Sequence, residues 1–127
     1  MATGGKLILT IDLGTSGPKV ALFDEQAKCL AHEFEDVPLL LYDNGGAEQR
    51  PADWLSAIKN SYKRLISKTG IDPKRIVGIN CTSQWSGTVA LDKQGNPLMD
   101  SIIWIQRTIN AGDYRSISCH AMTVVVC

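Results

Sequence analysis

Five residues that lie between two apolar segments have the chemistry to hold a phosphate group: Asp12, Gly14, Thr15, Ser16 and Lys19. Gly14 lets the backbone approach a ligand closely, and the N–H groups of a tight turn can surround anionic oxygens. The two hydroxyls add hydrogen-bond donors, Lys19 adds positive charge, and Asp12 could hold Mg²⁺ directly or through water. The spacing lacks the G-x-x-x-x-G-K-[ST] pattern of a Walker loop. Taken alone, it favours the structural alternative, a Gly-Ser hairpin turn whose acid caps its own backbone.

Apolar strands are predicted on both sides of this turn. Residues 6–12 form a near-continuous apolar run, which predicts a strand that is covered on both faces in the middle of a sheet. Residues 20–23 and 29–37 predict two more strands with short links, which indicates an antiparallel meander. Residues 39–49 contain the turn-forming run Asp43-Asn44-Gly45-Gly46 and predict a loop.

A helix is predicted after this loop, from Pro51 to a stop at Gly70. Its apolar stripe consists of Trp54, Ile58, Tyr62 and Leu65, widened by Leu55 and Ile66. Trp54 is assigned to the helix core and to no site.

Further strands are predicted at residues 76–81, 88–91 and 101–105. The helix is long enough to cross over the sheet and return the strand at 76–81 parallel to the first. The expected fold class is therefore α/β. It has a mixed sheet, with an antiparallel meander and then a crossover helix, and it is not a doubly wound Rossmann unit.

Composition limits the classes of protein to consider. The chain has 127 residues, of which 44% are hydrophobic and 20% charged, which is enough for one globular core. The 13 basic and 13 acidic residues balance, so a nucleic-acid partner is not favoured. No apolar run is long enough for a signal peptide or a membrane span, so we expect a cytoplasmic protein without a membrane partner. The four cysteines lack C-x-x-C spacing, which argues against zinc and for reduced thiols.

Three separated motifs resemble the FGGY carbohydrate kinases, which belong to the actin-like ATPases with ribonuclease-H-like domains. The first is the Asp12-x-Gly14-Thr15-Ser16 turn with Lys19, which is similar to the family's first phosphate loop. The second is residues 45–54, which match the pattern G-x-x-E-Q-x-P-x-x-W. The third is residues 79–104, where the family places its sugar contacts. Three motifs in the right order are far more specific than one.

The resemblance implies ATP-dependent phosphorylation of a sugar or polyol hydroxyl. By analogy Gly14, Thr15, Ser16 and Lys19 face the ATP phosphates, and Asp12 helps to organise Mg²⁺. The residues expected on the sugar side are Gln84, Trp85, Ser86 and Trp104. Without the resemblance, both tryptophans would be assigned to the core. The implied partner is a small sugar or polyol, and a homo-oligomer is left open.

The sequence departs from the family pattern in three ways. Glycerol-type members have an Arg-Glu pair where Trp85-Ser86 stands, which favours a ketose or pentitol of the xylulose or ribulose type. Gln106 stands where many members have an Asp that contacts sugar. Family members are also several times longer. The general base and most of the adenine site are expected in the part that has no counterpart here, so no catalytic residue is identified.

The predicted organisation is a partial N-terminal kinase domain over residues 1–104 and a tail of non-family sequence over 105–127. The tail could result from a frameshift or an alternative exon, or it could be a genuine part of the protein, and all three explanations are open. We expect the isolated 127-residue chain to be inactive as a kinase. The alternative function is a non-catalytic fragment that binds nucleotide weakly or acts only as an interaction module.

Overall fold

The computed structural model describes residues 5–105 and 123–126, which belong to two compact units. The first unit contains residues up to 37 and residues 52–84. The second contains residues 38–51 and those from 85 onward. The helix is α1 (Pro51–Thr69), and a short 3-10 turn covers Pro73–Arg75. In chain order the strands are β1 (Leu7–Gly14), β2 (Gly17–Asp24), β3 (Cys29–Phe34), β4 (Leu40–Leu41), β5 (Ala47–Gln49), β6 (Ile76–Ser83), β7 (Thr88–Leu91), β8 (Ser101–Ile102) and β9 (Thr123–Val126).

The first unit is built on a four-stranded sheet in the order β3-β2-β1-β6. Strands β1, β2 and β3 are joined antiparallel as a meander, and β6 returns parallel to β1 after α1. The predicted meander, the parallel return and the central place of the first strand are therefore confirmed. Since β1 has neighbours on both sides, its end is held by two ladders of backbone hydrogen bonds.

The core of the first unit lies on one face of this sheet. Leu7, Leu9 and Val20 are buried there with Leu22, and Leu65 of α1 packs against them. The expectation that β1 is covered on both faces is wrong for the described residues, because Ile8 is 37% exposed. Successive side chains of a strand point to opposite faces, so an apolar residue between two core residues faces away from α1.

Helix α1 begins at Pro51 and stops before Gly70, as predicted. Gly70 has a φ of +65°, and its N–H donates to the Ile66 carbonyl at 2.9 Å, a common helix end. Leu55 does not widen the buried stripe, because it is 57% exposed. The buried positions are Ala57, Ser61 and Leu65, and Leu55 lies roughly 200° around the helix from Ala57. Trp54 is half-buried.

Charged groups connect α1 to the end of the meander. Arg64 contacts the carboxylates of both Glu33 and Glu35, and Lys68 lies 3.0 Å from Glu33. The Lys68 hydrogen bond, with help from Arg64, holds the pKa of Glu33 below its ordinary value of 4.5. Hydrogen bonds from Asn60 and Arg64 lower the pKa of Glu35 in the same way. This surface network stabilises the contact between helix and strand while both carboxylates are ionised.

The second unit is a five-stranded sheet in the order β4-β5-β8-β7-β9. The prediction of a loop over residues 39–49 is wrong, because β4 and β5 pair as a small antiparallel hairpin there. The predicted turn residues form its tip. The Asn44 side chain accepts from the Gly46 N–H at 2.9 Å, and Gly45 has a φ of +85°. The flanking strands were missed because they have only two and three residues.

The remaining strand boundaries differ only at their ends. The third strand stops at Phe34 and not at residue 37, and the strand predicted at 101–105 covers Ser101–Ile102. Residues 123–126 of the predicted tail form β9, which pairs antiparallel with β7. The rest of the tail, 106–122 and 127, lies outside the described residues, and the boundary after Trp104 stays a prediction. Over residues 5–105 and 123–126, none of the helices combines the length and apolarity that a membrane crossing needs.

Candidate functional site

The predicted phosphate turn is a two-residue hairpin at the end of β1 and β2. Gly14 and Gly17 face each other across the ladder, with Thr15 and Ser16 as the turn between them. Gly17 has a φ of +149°, and a Cβ atom on it would lie 1.9 Å from the Glu35 carbonyl oxygen. No side chain fits there, because the chain after β3 passes directly over the hairpin. The segment that follows β3 therefore packs against the turn, and Ser16 is exposed at the tip of the turn.

The opposite charges of the hairpin meet beside Gly14. Asp12 and Lys19 are directly paired across the antiparallel ladder. The Lys19 Nζ lies 3.1 Å from the Asp12 Oδ2, and both side chains are about half exposed, at 59% and 48%. A Cβ atom on Gly14 would lie 2.9 Å from the same Nζ. The small residue thus gives the ammonium group room to lie over the backbone next to the turn.

Gln84 joins the hairpin from the neighbouring strand. Strand β6 pairs with β1 as far as Leu13 and Ser83, and the Gln84 N–H then donates to the Leu13 carbonyl at 2.8 Å. The Thr15 hydroxyl donates to the Gln84 Oε1 at 2.8 Å. The structure therefore brings together Asp12, Gly14, Thr15, Lys19 and Gln84 within the first unit. Of these, only Gln84 was assigned to the sugar side, and its side chain contacts the phosphate turn.

The other predicted sugar-side residues, Trp85, Ser86 and Trp104, belong to the second unit. Trp85 and Ser86 form a turn immediately before β7, and Trp104 follows β8. Thr88 of β7 pairs antiparallel with Ile102 of β8, so the start of β7 and the end of β8 lie side by side. This end of the two strands is called the aromatic edge below. All three residues therefore lie at this edge.

Both tryptophans are exposed, which excludes the alternative that they are core residues. Trp85 is 83% exposed and Trp104 is 58% exposed. Ser86 has a φ of +54°, a left-handed conformation that is costly for a residue with a Cβ atom. Strained backbone of this kind occurs often at ligand sites. The edge thus presents two aromatic rings and a hydroxyl to solvent.

Two buried polar residues of the second unit received no role from the sequence. Gln49 and Ser101 are both 0% exposed and are paired across β5 and β8 in the second unit. Among the described atoms the Ser101 hydroxyl has no hydrogen-bond partner, and a Cβ atom on Gly87 would lie 3.7 Å from it. Gln49 belongs to the matched E-Q-x-P segment, which was the available signal, but its burial depends on β8.

Metal-binding and thiol chemistry receive little support from the described residues. Over 5–105 and 123–126, no three His, Cys, Asp or Glu residues cluster closely enough to hold a metal ion. At the turn, the carboxylate beside Lys19 is that of Asp12. Cys29 and Cys81 are exposed free cysteines, and the expected reduced state of all four thiols stays a prediction. The other two cysteines, Cys119 and Cys127, lie outside these residues.

Comparison with known proteins finds a matching family and several curated relatives. Residues 7–114 match the N-terminal domain of the FGGY family of carbohydrate kinases. A xylulose kinase of Staphylococcus epidermidis is 34% identical over 99 residues, which are 78% of this chain and 20% of that protein. A glycerol kinase of Xylella fastidiosa (strain M23) is 31% identical over 103 residues, 80% of this chain and 21% of the relative. The chain thus spans about a fifth of the length of these curated relatives.

A solved structure has a similar fold over most of this chain. The crystal structure of a xyloylose kinase from Brucella ovis superimposes with a TM-score of 0.74 at 29% identity. The match covers 79% of this chain and 21% of that one.

Proposed function

This chain belongs to the FGGY family of carbohydrate kinases, and from that membership we propose that it takes part in ATP-dependent phosphorylation of a sugar or polyol hydroxyl. The predicted fold class, a mixed sheet of the ribonuclease-H-like, actin-like ATPase type, is confirmed by the likeness to a kinase of known structure. The activity itself, the substrate and any subunit partner are parts of the proposal. A cytoplasmic location also stays a prediction.

The observation that carries the proposal is the hairpin, where Thr15, Ser16 and Lys19 come together at the end of two strands. A two-residue turn can direct backbone N–H groups at phosphate oxygens, and the exposed Ser16 hydroxyl adds a donor. The Lys19 ammonium lies on the same hairpin and can neutralise charge on the transferred group. Phosphoryl transfer depends mainly on such positioning and charge stabilisation. We assign these residues to the ATP phosphates.

Mg²⁺ fits the chemistry of this hairpin with the phosphates as additional ligands. Magnesium is usually held by one or two carboxylates together with substrate phosphates, and Asp12 supplies one half-exposed carboxylate at the turn. When bound, the ion would neutralise charge that develops on the phosphate oxygens. Asp12 would hold the ion, while Lys19, its present partner at 3.1 Å, would move toward the phosphates.

For the sugar we propose the aromatic edge of the second unit. The rings of Trp85 and Trp104 are exposed, and an aromatic face can pack on the apolar side of a sugar. The Ser86 hydroxyl would hydrogen-bond a sugar hydroxyl. The Trp85-Ser86 pair supports a ketose or pentitol in preference to glycerol, since glycerol-type members have Arg-Glu at these positions. Relatives of both types match this chain, one named xylulose kinase and one named glycerol kinase.

We assign no general base among residues 5–105 and 123–126. Proton removal from the attacking hydroxyl needs a positioned base, and the groups assigned above bind and neutralise charge. We therefore propose that the 127-residue chain alone binds MgATP and sugar without measurable turnover.

Calorimetry and a product assay on the same purified chain test the proposal. MgATP, D-xylulose, D-ribulose and glycerol are titrated separately, and sugar phosphate is then sought by mass spectrometry with ATP present. We expect MgATP to bind, and one of the two ketoses to bind more tightly than glycerol. Thr15→Val and Lys19→Met should each weaken MgATP at least fivefold, while Lys28→Met, which removes an exposed lysine next to β3, should not.

The outcomes separate the two functions left open by the sequence. A chain that binds neither MgATP nor any sugar contradicts the proposal. Binding of MgATP with no sugar affinity would support the alternative, a non-catalytic nucleotide-binding module. Sugar phosphate formed by the chain alone would contradict the expected lack of turnover but would support the assigned reaction.

A further inference from the structure

We propose that Gln84 is a positioning residue for the phosphate hairpin. In this role the Gln84 side chain holds and orients the Thr15 hydroxyl. The inference rests on the proposed function, because it assigns Gln84 to the phosphate side of that site and not to the sugar. It is carried by a contact between residues that are 69 positions apart in the chain.

Two hydrogen bonds fix Gln84 against the end of β1. Its backbone N–H donates to the Leu13 carbonyl at 2.8 Å, and its side-chain Oε1 accepts from the Thr15 hydroxyl at 2.8 Å. The backbone hydrogen bond continues the ladder between β6 and β1, so the sheet sets the position of the Gln84 α-carbon. The side chain then spans from the strand to the turn. Both Thr15 and Gln84 are half-buried, which strengthens such a bond relative to a fully exposed one.

The contact decides what the Thr15 hydroxyl offers to a ligand. A hydroxyl has one proton and two lone pairs, so while it donates to Gln84 it meets any other group as an acceptor. That arrangement suits a metal-bound water. A half-turn of the Gln84 amide would place its NH₂ group toward Thr15, and the hydroxyl proton would then be available to a phosphate oxygen. An amide offers both possibilities, whereas a carboxylate offers only acceptors.

The test uses the intact chain and compares two substitutions of Gln84 with matched controls. Gln84→Met keeps the length and removes the hydrogen bond, and Gln84→Glu keeps an acceptor but loses the donor and adds negative charge. Gln26→Met and Gln26→Glu make the same changes at an exposed turn at the far end of β2. MgATP, magnesium tripolyphosphate and D-xylulose are titrated separately by calorimetry.

We expect Gln84→Met to weaken MgATP and magnesium tripolyphosphate about three- to tenfold, the range for loss of one hydrogen bond. Gln84→Glu should weaken both more than tenfold, because its charge repels the phosphates. D-xylulose affinity should stay within twofold, and both Gln26 variants should bind like the wild type. In a Thr15→Val background, Gln84→Met should have no further effect on MgATP.

A purely structural role or a sugar contact gives different results. Loss of D-xylulose affinity with unchanged MgATP would overturn the inference and place Gln84 on the sugar side. Equal loss of all three ligands would also overturn it, because the effect would then be a general loss of structure. Additive effects of Thr15→Val and Gln84→Met on MgATP would show that the contact is not functional.

Failure of the proposed function is seen separately, in the wild type. If the wild-type chain binds MgATP and Gln84→Met binds it equally well, only this inference fails. If the wild-type chain binds neither MgATP nor magnesium tripolyphosphate, the proposed nucleotide role of the hairpin fails, and the ligand role of Gln84 fails with it.

Discussion

The Lys19 Nζ lies 3.1 Å from the Asp12 Oδ2, directly across the β1–β2 ladder, at the place where a side chain on Gly14 would begin. Both side chains are about half exposed, so water screens their attraction. The pair therefore keeps a carboxylate and an ammonium group side by side next to the turn without holding either tightly. When ligands bind, the carboxylate can leave its partner for a metal ion, and the ammonium group can leave its partner for a phosphate.

Lys19→Met should leave folding stability nearly unchanged while it weakens phosphate binding. Exposed ion pairs usually contribute about 0–1 kcal/mol, and the methionine keeps most of the apolar stem. Chemical denaturation should show a change in the free energy of unfolding of less than about 1 kcal/mol. A large loss of stability would contradict the view that Lys19 serves the ligand.

Gly14 and Gly17 should respond differently to alanine. In Gly17→Ala the new Cβ would overlap the Glu35 carbonyl oxygen at 1.9 Å, where backbone must move, so we expect a loss of about 2 kcal/mol or more. In Gly14→Ala the close atom is the Lys19 Nζ, the mobile end of a long side chain. Thermal unfolding should therefore show a much smaller loss for Gly14→Ala. Equal losses would contradict this account.

Acid should weaken the contact between α1 and β3. The pKa of Glu33 is lowered in the folded chain by its contacts with Lys68 and Arg64. The pKa of Glu35 is lowered by hydrogen bonds from Asn60 and Arg64. Both carboxyls therefore bind protons more tightly when unfolded. The stabilisation of the folded chain by these two carboxylates is complete above about pH 4.5. It is lost as the pH falls through their lowered pKa values.

The pH dependence of denaturant midpoints checks this expectation. A Glu33→Gln, Glu35→Gln double variant should lose less stability between pH 6 and pH 3 than the wild type. Glu25→Gln, at an exposed turn, is the matched control and should follow the wild-type curve. Parallel curves for all three proteins would show that the network does not contribute.

Ser86→Gly should stabilise the chain and weaken sugar binding. Ser86 has a φ of +54°, where glycine avoids a cost of about 1 kcal/mol, so the unfolding temperature should rise. Ala27→Gly is a matched control, since Ala27 has a φ of +60° in the turn before β3. Both variants should gain stability, but only Ser86→Gly should lose affinity for D-xylulose. Unchanged sugar affinity would remove Ser86 from the proposed site.

Ile79→Lys should raise the solubility of the chain. Within the described residues β6 is an edge strand, it contains no charged residue, and Ile79 is 69% exposed. Uncharged apolar edges pair readily with other chains, and lysine is a common means of preventing this. Light scattering at increasing concentration should show less association than in the wild type. Ser67→Lys, on an exposed position of α1, adds the same charge and should have a smaller effect.

Local patterns were sufficient to predict much of the fold. Helix α1 was predicted from Pro51 to Gly70 because a missing N–H and a left-handed glycine act within one turn of the chain. The hairpin of Asp12 to Lys19 was predicted because its glycines, hydroxyls and charges are neighbours in sequence. Several strand ends and the face of Leu55 were wrong, because burial depends on elements that pack from elsewhere.

The sequence by itself thus determined the order of the strands and helix of the first unit, the position of the hairpin from Asp12 to Lys19, and the family. Only the tertiary structure decided which of the predicted site residues meet. The parallel return of β6 places Gln84 beside Thr15, 69 positions away, and antiparallel pairing places Gln49 against Ser101. Only the tertiary structure showed that Trp85 and Trp104 are exposed. A side chain's partners and burial are set by the packing of distant segments, which no local spacing encodes.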